Sequence, residues 1–268
     1  MFKRFVIFGA ATILPAFAQV STAPTSMEKI APHQHRPIAD RVEHGDGTST
    51  STNWSGYAVT GTSFTSAKGS WTVPTATCTT SGDLYAAFWV GIDGYSSDSV
   101  EQTGTDSDCD GKTPSYYAWY EFYPNPSYEI SMAVAPGDHM SASVTYSGSE
   151  FTITIENVTT GKSYSKSSKV SGAKRSSAEW ITEAPCCTNS GGILPLSDFG
   201  TVLFGEDSTG VSGTNYATDS TTSGAIGKFP AADIEEINKT ASSTSPQLST
   251  CSAALSSDGT SFSCTWSK

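Results

Sequence analysis

Histidine is scarce in this 268-residue sequence, which contains only His33, His35, His44 and His139. The first three lie in an N-terminal stretch that we expect to be removed, so one histidine remains for the folded domain. Catalytic triads, Cys-His dyads and His-rich zinc sites all need histidine at a defined place, and this scarcity disfavours them. A carboxylate is therefore the candidate for acid–base work, and Glu179 is the first choice.

Basic residues are also few. The chain has 15 Lys and Arg against 26 Asp and Glu, and beyond residue 45 the numbers are ten against 23, a net charge near −13. A surface of this sign repels nucleic acid and anionic membranes, so neither is an expected partner. This composition also suits a protein that stays folded in acid. When the carboxylates are protonated, the few Lys and Arg residues carry little positive charge, so the folded chain repels itself only weakly.

Long apolar runs are missing beyond the N-terminus. Lys3 and Arg4 precede the apolar run Phe5–Ala18, which ends in Ala16-Phe17-Ala18, an A-x-A cleavage pattern. This combination predicts a signal peptide over residues 1–18 and a secreted protein. The run is too short for a membrane span, which needs roughly 20 apolar residues, and we expect no membrane anchor.

Two further segments follow from composition. Residues 19–47 contain Pro, His, Ser and Thr without apolar periodicity, which predicts a propeptide or a disordered leader. Residues 48–268 are long enough for one large domain and show no internal linker or repeat.

Strand patterns dominate that domain. Ala142, Val144 and Tyr146 alternate, a turn follows at Ser147-Gly148-Ser149, and Phe151, Ile153 and Ile155 alternate in turn. Ala86–Val90 is apolar throughout, as in a strand buried on both faces. The window 231–237 is the only helix-like stretch and is too short to define a fold. The pattern predicts an all-β, antiparallel β-sandwich.

The six cysteines fit an oxidising compartment. A turn at Ser256–Gly259 places Cys251 opposite Cys264 in a hairpin, so this pair is the first expectation. Cys78–Cys109 is the second. Cys186 and Cys187 are left either as a bridge between neighbours or as free thiols.

Alternation also groups polar residues. It places Trp119, Glu121 and Tyr123 on one face of a strand, either as a substrate groove or as a sheet edge meeting solvent. In the same way, Glu179, Ile181 and Glu183 share a face opposite Trp180, and we expect Glu183 to be structural.

Together, several short segments resemble the glutamic peptidases, the eqolisin family of secreted acid proteases. Each segment is a weak signal alone, but their order is specific, and the resemblance covers most of residues 53–205. The segments are Asn53–Ala58, Phe88–Gly94, Gln102–Gly104 followed by Asp106, Ala118–Pro124, Ala178–Ile181 and Asp198–Gly200.

The resemblance implies a concanavalin- or jelly-roll-like sandwich of two curved sheets, whose concave face holds a catalytic Gln and Glu. Gln102 and Glu179 are matched to these two roles. It also implies a monomeric endopeptidase that acts on proteins or peptides and needs no cofactor or metal. The positions matched to the substrate cleft are Trp54, Trp89, Asp93, Trp119 and Glu121.

The implied chemistry is physically sound. An ionised glutamate can take a proton from water while the amide NH₂ of Gln102 donates to the developing oxyanion. A neutral amide also adds no negative charge beside the glutamate. The alternative is a carbohydrate-binding or glycoside-hydrolysing sandwich, in which Glu121 and Glu179 form the required carboxylate pair roughly 5–9.5 Å apart.

The leader has an expected role as well. Its basic residues Lys29, Arg36 and Arg41 oppose the acidic domain, so we expect it to hold the domain inactive near neutral pH. Histidines that charge near pH 6.5 should first tighten this contact. We expect release where carboxylates titrate, near pH 4.

The hairpin disulfide gives a first test. A Cys251–Cys264 bridge closes a loop of about 14 residues and should contribute roughly 3 kcal/mol to the free energy of unfolding in the chain-entropy model. Peptide mapping identifies the bridge, and denaturant unfolding of a Cys251→Ser/Cys264→Ser variant measures its contribution. Either cysteine bridged elsewhere would overturn the predicted hairpin register.

Overall fold

The computed structural model describes residues 28–79, 82–187, 192–237 and 247–267. The predicted signal peptide and residues 19–27 lie outside the described residues. One short α-helix, α1, spans Glu206–Thr209, and a 3₁₀ turn spans Ile226–Lys228. The strands are β1 Lys29–Ile30, β2 Val42–Glu43, β3 Thr48–Ser51, β4 Trp54–Thr60, β5 Ser66–Thr72, β6 Ala87–Ile92, β7 Val100–Asp110, β8 Thr113–Tyr123, β9 Tyr128–Ile130, β10 His139–Ser147, β11 Glu150–Asn157, β12 Lys162–Ser168, β13 Ser177–Glu183, β14 Thr201–Phe204, β15 Tyr216–Thr218, β16 Ser223–Ala225, β17 Ala231–Ile237, β18 Gln247–Cys251 and β19 Phe262–Trp266.

Antiparallel pairing links most of these strands in one continuous order. The hydrogen-bonded neighbours run β12-β11-β10-β5-β14-β19-β18-β17-β4-β13-β6-β7-β8-β9-β1. The order folds back on itself, so that β5, β10 and β11 pack against β6 and β7. The prediction of an all-β sandwich is confirmed.

The main core lies between these layers and follows from strand alternation. Val144 pairs with Ile153 and Ala142 with Ile155, and all four side chains are buried. Gly148 turns the chain between β10 and β11 at φ 68°, a conformation that glycine adopts without steric cost. The predicted meander is confirmed, and β6 is buried along its whole length as its apolar sequence predicts.

One local expectation is wrong. Residues 231–237 form strand β17 and not a helix, pairing with β4 and running parallel to β3. Ile234 and Glu236, two residues apart on this strand, are both buried. Hydrogen bonding to β3 and β4 and this burial outweigh the helical propensity of the Ala and Glu residues. Helix α1 was not predicted, because four residues carry no readable periodicity.

The structure contains all three disulfides that the six cysteines allow. Cys251 lies directly opposite Cys264 and is bridged to it, and Cys78 is bridged to Cys109. Both predicted pairs are confirmed. For Cys186 and Cys187 the sequence left two alternatives, a bridge or free thiols, and the structure contains the bridge.

A second apolar cluster lies on the other side of β4, β13, β6, β7 and β8. Trp54, Trp89 and Trp119 are fully buried there, and residues Ala31 and Ile38 of the leader pack against them. The leader therefore contacts the domain in this structure, and its role as a propeptide stays a prediction. In the described parts of the chain, no helix is long and apolar enough to cross a membrane.

Candidate active site

Four neighbouring strands form the surface that the leader covers, and we call this surface the cleft face. Side chains along a strand alternate between the two sides of the sheet, so aligned positions two residues apart share one side. The pairing register of β13, β6, β7 and β8 gives three rows. The rows are Glu179, Gly91, Gln102, Glu121; then Ile181, Trp89, Gly104, Trp119; then Glu183, Ala87, Asp106, Tyr117.

The leader lies across the cleft face and pairs with the domain at Gln34. The backbones of Gln34 and Cys186 exchange two hydrogen bonds of 2.9 Å, as neighbouring strands do. On either side, Ala31 N donates to Ser127 O and Ile38 N donates to Gly94 O. The leader is thus held by its backbone at several points, in the manner of an added strand.

Gln102 and Glu121 hold the middle of the leader. The side-chain amide Nε2 of Gln102 donates to the carbonyl oxygen of His35 and, over 3.1 Å, to Oε2 of Glu121. The same Glu121 oxygen accepts the backbone N–H of His35 at 2.9 Å. Glu121 therefore orients the Gln102 amide and the leader backbone together.

Glu183 contacts the next leader residue. Its Oε1 accepts the backbone N–H of Arg36 at 3.2 Å and lies 3.4 Å from the Nδ2 donor of Asn53. Its Oε2 accepts the indole N–H of Trp89 at 2.9 Å. Trp54 Nε1 donates to the carbonyl oxygen of Arg36 over 3.1 Å. These contacts fix both the carboxylate and the peptide that it touches.

The side chain of His35 fills the centre of the cleft face. Its ring stacks on Trp119 with centroids 3.5 Å apart and planes 2° from parallel. Nε2 lies 3.3 Å from Oδ1 of Asp106, and Nδ1 lies 3.6 Å from Oε2 of Glu121. Burial disfavours the charged ring, but Asp106 and hydrogen bonding with Asp106 and Glu121 raise the His35 pKa to about 10.

Glu179 lies in a different environment from Gln102, although both flank Gly91 in the register. The Trp89 ring leans over Gly91, where an added β-carbon would fall 2.9 Å from the ring. The polar groups near the Glu179 carboxylate are Ser177 and the backbone of Tyr95, and Asp93 and Glu101 add negative charge. Of the polar side chains in the three rows, Gln102, Glu121 and Glu183 hydrogen-bond to the leader backbone.

Asp93 was predicted to line the cleft, but the structure gives it another role. Its carboxylate accepts the backbone N–H groups of Lys174, Arg175 and Ser176 at 2.7–2.9 Å. The hydroxyl group of Ser176 donates a fourth hydrogen bond, over 3.2 Å, so the carboxylate fixes the loop before β13 and has no acceptor site left for a ligand. The other predicted cleft positions lie at the leader. Three of them contact it directly, namely Trp54, Trp119 and Glu121, and Trp89 contacts it through Glu183.

Burial controls the carboxyl groups of the site. It raises the pKa of Glu183 to about 8, against the lowering effect of the His35 charge. It also raises the pKa of Glu121 and holds that of Glu179 well above its usual range. With the leader in place, the proton stays on Glu183 well above the pH at which a free glutamate loses it.

One group of side chains has the spacing of a cation site. Ligand atoms of His33, Asp106 and Asp108 lie within 4.8 Å of one another among the described residues. However, Asp106 already accepts hydrogen bonds of 2.6 Å from Tyr117 Oη and Trp119 Nε1. These oxygens serve a hydrogen-bond network that supports the Trp119 ring.

His35 departs from the charge-based expectation for the leader. His35 holds its proton far above pH 6.5, so it cannot tighten the contact by charging near that pH. Because its pKa is raised in the bound state, its contribution is full below about pH 6.5 and is lost as pH rises through about 10. Release where carboxylates titrate stays a prediction.

The sequence patterns place His35 in the leader, where it contributes only charge, and they treat Glu183 as structural. His35 was set aside because it precedes the predicted domain, and composition gives no sign that a leader residue returns to the cleft. Glu183 carried a usable signal, because alternation placed it on the same face as Glu179, four residues away.

Comparison with known proteins identifies the family. The Peptidase A4 family profile matches residues 52–265, so this chain belongs to the Peptidase A4 family. It is 33% identical to aspergillopepsin-2 of Aspergillus niger over 178 residues, which are 58% of this chain and 62% of that relative. It is 38% identical to scytalidopepsin B of Scytalidium lignicola over 159 residues, 55% of this chain and 58% of that relative. The matches thus span about three fifths of each curated relative.

The fold is also similar to a solved structure. A scytalido-glutamic peptidase bound to a transition state analog inhibitor superimposes with a TM-score of 0.65 at 29% identity. The match covers 81% of this chain and 98% of that one. The predicted resemblance to the glutamic peptidases is confirmed.

Buried carboxyl groups predict an acid-stable, alkali-sensitive fold. Neither oxygen of Glu236 meets a hydrogen-bond donor within the described residues, and burial, with Glu183 nearby, holds its pKa well above the usual range. Burial and Asp93 raise the pKa of Glu101 to about 9. A carboxyl group with a raised folded pKa stabilises fully below about pH 4.5 and loses that contribution as pH rises.

We therefore expect the free energy of unfolding to fall as pH rises from 5 to 8. Glu236→Gln should reduce the slope by up to about 1.4 kcal/mol per pH unit, whereas Glu150→Gln, an exposed control, should leave it unchanged. Denaturant unfolding at a series of pH values measures both slopes. A wild-type stability that rises over this range would contradict the assignment.

Proposed function

We propose that this protein is a secreted acid endopeptidase that cleaves protein or peptide substrates with Gln102 and a glutamate of β13. One observation carries this proposal. The two polar backbone atoms of a single peptide bond, His35 O and Arg36 N, contact Gln102 Nε2 and Glu183 Oε1 respectively. Family membership and the inhibitor-bound structural neighbour support the same reaction class.

Gln102 is suited to stabilise the oxyanion. Attack on a peptide carbonyl moves negative charge onto its oxygen, and a donor already aimed at that oxygen lowers the barrier without reorganising. Nε2 points at the carbonyl oxygen of His35 while Glu121 accepts from the same nitrogen. The amide is neutral, so it donates at any acid pH.

Glu183 is suited to move the proton. As a carboxylic acid it can give its proton to the departing amine, and the carboxylate that this leaves takes a proton from the water that adds to the carbonyl carbon. Its Oε1 lies 3.2 Å from the amide nitrogen of Arg36, which is the leaving atom of this bond. Trp89 and Asn53 keep the carboxyl group oriented.

Other cleft residues bind the substrate backbone. Glu121 accepts the N–H before the bond, and Trp54 donates to the carbonyl after it. Trp119 supplies a flat surface for the side chain that precedes the bond. The contacts made by the leader are peptide contacts, so they favour a peptidase over the carbohydrate-active alternative.

The identity of the glutamate can be decided by a matched pair of variants. The sequence predicts Glu179, whereas the contacts favour Glu183, which lies four residues further along the same strand. We expect Glu183→Gln to lower kcat by roughly 10²–10⁴ and Glu179→Gln to retain most activity. Gln102→Ala should lower kcat by roughly 10²–10³ with a smaller change in KM.

The assay measures cleavage of denatured protein at pH 2–7, with pepstatin and EDTA as controls. Each precursor is first opened by the same brief trypsin treatment, which is then blocked, so that failed maturation is not mistaken for lost turnover. The reverse pattern, with Glu179→Gln inactive and Glu183→Gln active, would restore the sequence prediction. Full activity in both glutamate variants would refute the proposed mechanism.

A further inference from the structure

The leader meets the cleft face as a substrate does. A substrate needs its carbonyl oxygen at the oxyanion donor and its amide nitrogen within reach of the acid, in one peptide bond. The His35–Arg36 bond meets both conditions, with Gln102 at one atom and Glu183 at the other. The neighbouring backbone groups, His35 N and Arg36 O, are also satisfied by Glu121 and Trp54.

A dedicated pocket holds the residue on the acyl side of this bond. The His35 ring is fully buried, stacked flat on Trp119 and close to the carboxylates of Asp106 and Glu121. A planar ring fits the stack, and a positive charge fits the two carboxylates. The charged groups facing it are Asp106 on β7, Glu121 on β8 and Glu183 on β13.

The leader is anchored on both sides of the bond. Gln34 pairs with Cys186 before it, and Ala39 N donates to Asn53 Oδ1 over 2.7 Å after it. Anchors this close to the bond fix its position without any encounter between molecules. A reaction on such a bond is unimolecular, so no translational or rotational entropy is lost in bringing the bond to the catalytic groups.

We propose that the chain cleaves its own His35–Arg36 peptide bond as the first step of its maturation. This inference rests on the proposed peptidase function. Water adds its hydroxyl group to the carbonyl carbon of His35, the C–N bond breaks, and the nitrogen of Arg36 takes up the proton. The products are a leader fragment ending in the His35 carboxyl group and a chain that begins with the Arg36 amino group.

The cut also explains how the cleft opens. Before cleavage, Gln34 and Ala39 hold the bond from both sides through one continuous backbone. Afterwards the fragment ending at His35 is free to dissociate, because no covalent bond ties it to Asn53 and the residues beyond. Each half then binds with its own contacts alone, and the loss of linkage lowers the effective concentration at the cleft.

Mass spectrometry of the full chain tests the proposal. Precursor isolated at neutral pH is shifted to a series of values between pH 2 and 7, and products are followed in time over a hundredfold range of protein concentration. We expect the first new N-terminus at Arg36, a fragment ending at His35, and a first-order rate independent of concentration. A first cut elsewhere, or a rate proportional to concentration, would overturn the proposal.

Two leader variants distinguish the effect of the His35 pocket on the cleavage rate from the effect of the leader's overall charge. His35→Ala should slow this cut by at least about tenfold, because it empties a pocket built around a charged planar ring. His44→Ala removes an exposed histidine from the same leader and should leave the rate within about twofold. Equal effects of both variants, or none from His35→Ala, would contradict the role of the pocket.

The same preparations distinguish a wrong maturation site from a wrong peptidase function. If trypsin-opened wild-type protein digests denatured protein in acid but the precursor first cuts at another bond, the function stands and the maturation site is wrong. If neither reaction occurs at any pH tested, the proposed peptidase function itself fails.

Discussion

The structure depends on one contact, in which a single peptide bond of the leader is held between Gln102 and Glu183. Nearly every other feature of the cleft supports it. Trp89 and Asn53 orient the carboxyl group, Glu121 orients the amide, and Trp119 carries the preceding ring. Four strands, β6, β7, β8 and β13, and the residue Asn53 before β4 supply these side chains, so the contact exists only in the folded sandwich.

Burial ties this contact to acid. Covering the cleft face removes water from several carboxyl groups at once, which raises the pKa of Glu183 to about 8 and also that of Glu121. The fold tolerates these groups when they hold protons and is strained when they ionise. A chain with 26 acidic and 15 basic residues is thus compatible with a low working pH for the same reason that it loses stability in alkali.

Much of this arrangement was readable from the sequence, because it rests on local patterns. Strand alternation predicts the β10–β11 meander, and the hairpin turn predicts the Cys251–Cys264 disulfide. The order of the motifs predicts the family and the place of Gln102 in the cleft. The rest depends on distant contacts. The return of His35 to Asp106 and Glu121 joins residues more than 70 positions apart, and the screening of Gly91 by the Trp89 ring depends on a side-chain orientation that no motif encodes.

A crystal structure of the unprocessed Glu183→Gln precursor in acid tests the central claim most directly. The substitution keeps the shape of the side chain while removing its acid–base function, so the leader should remain intact. We predict the His35 carbonyl oxygen within hydrogen-bonding distance of Gln102 Nε2, the Arg36 nitrogen beside residue 183, and the His35 ring stacked on Trp119. A leader bound outside the cleft, or one that places a different peptide bond beside Gln102, would contradict the account.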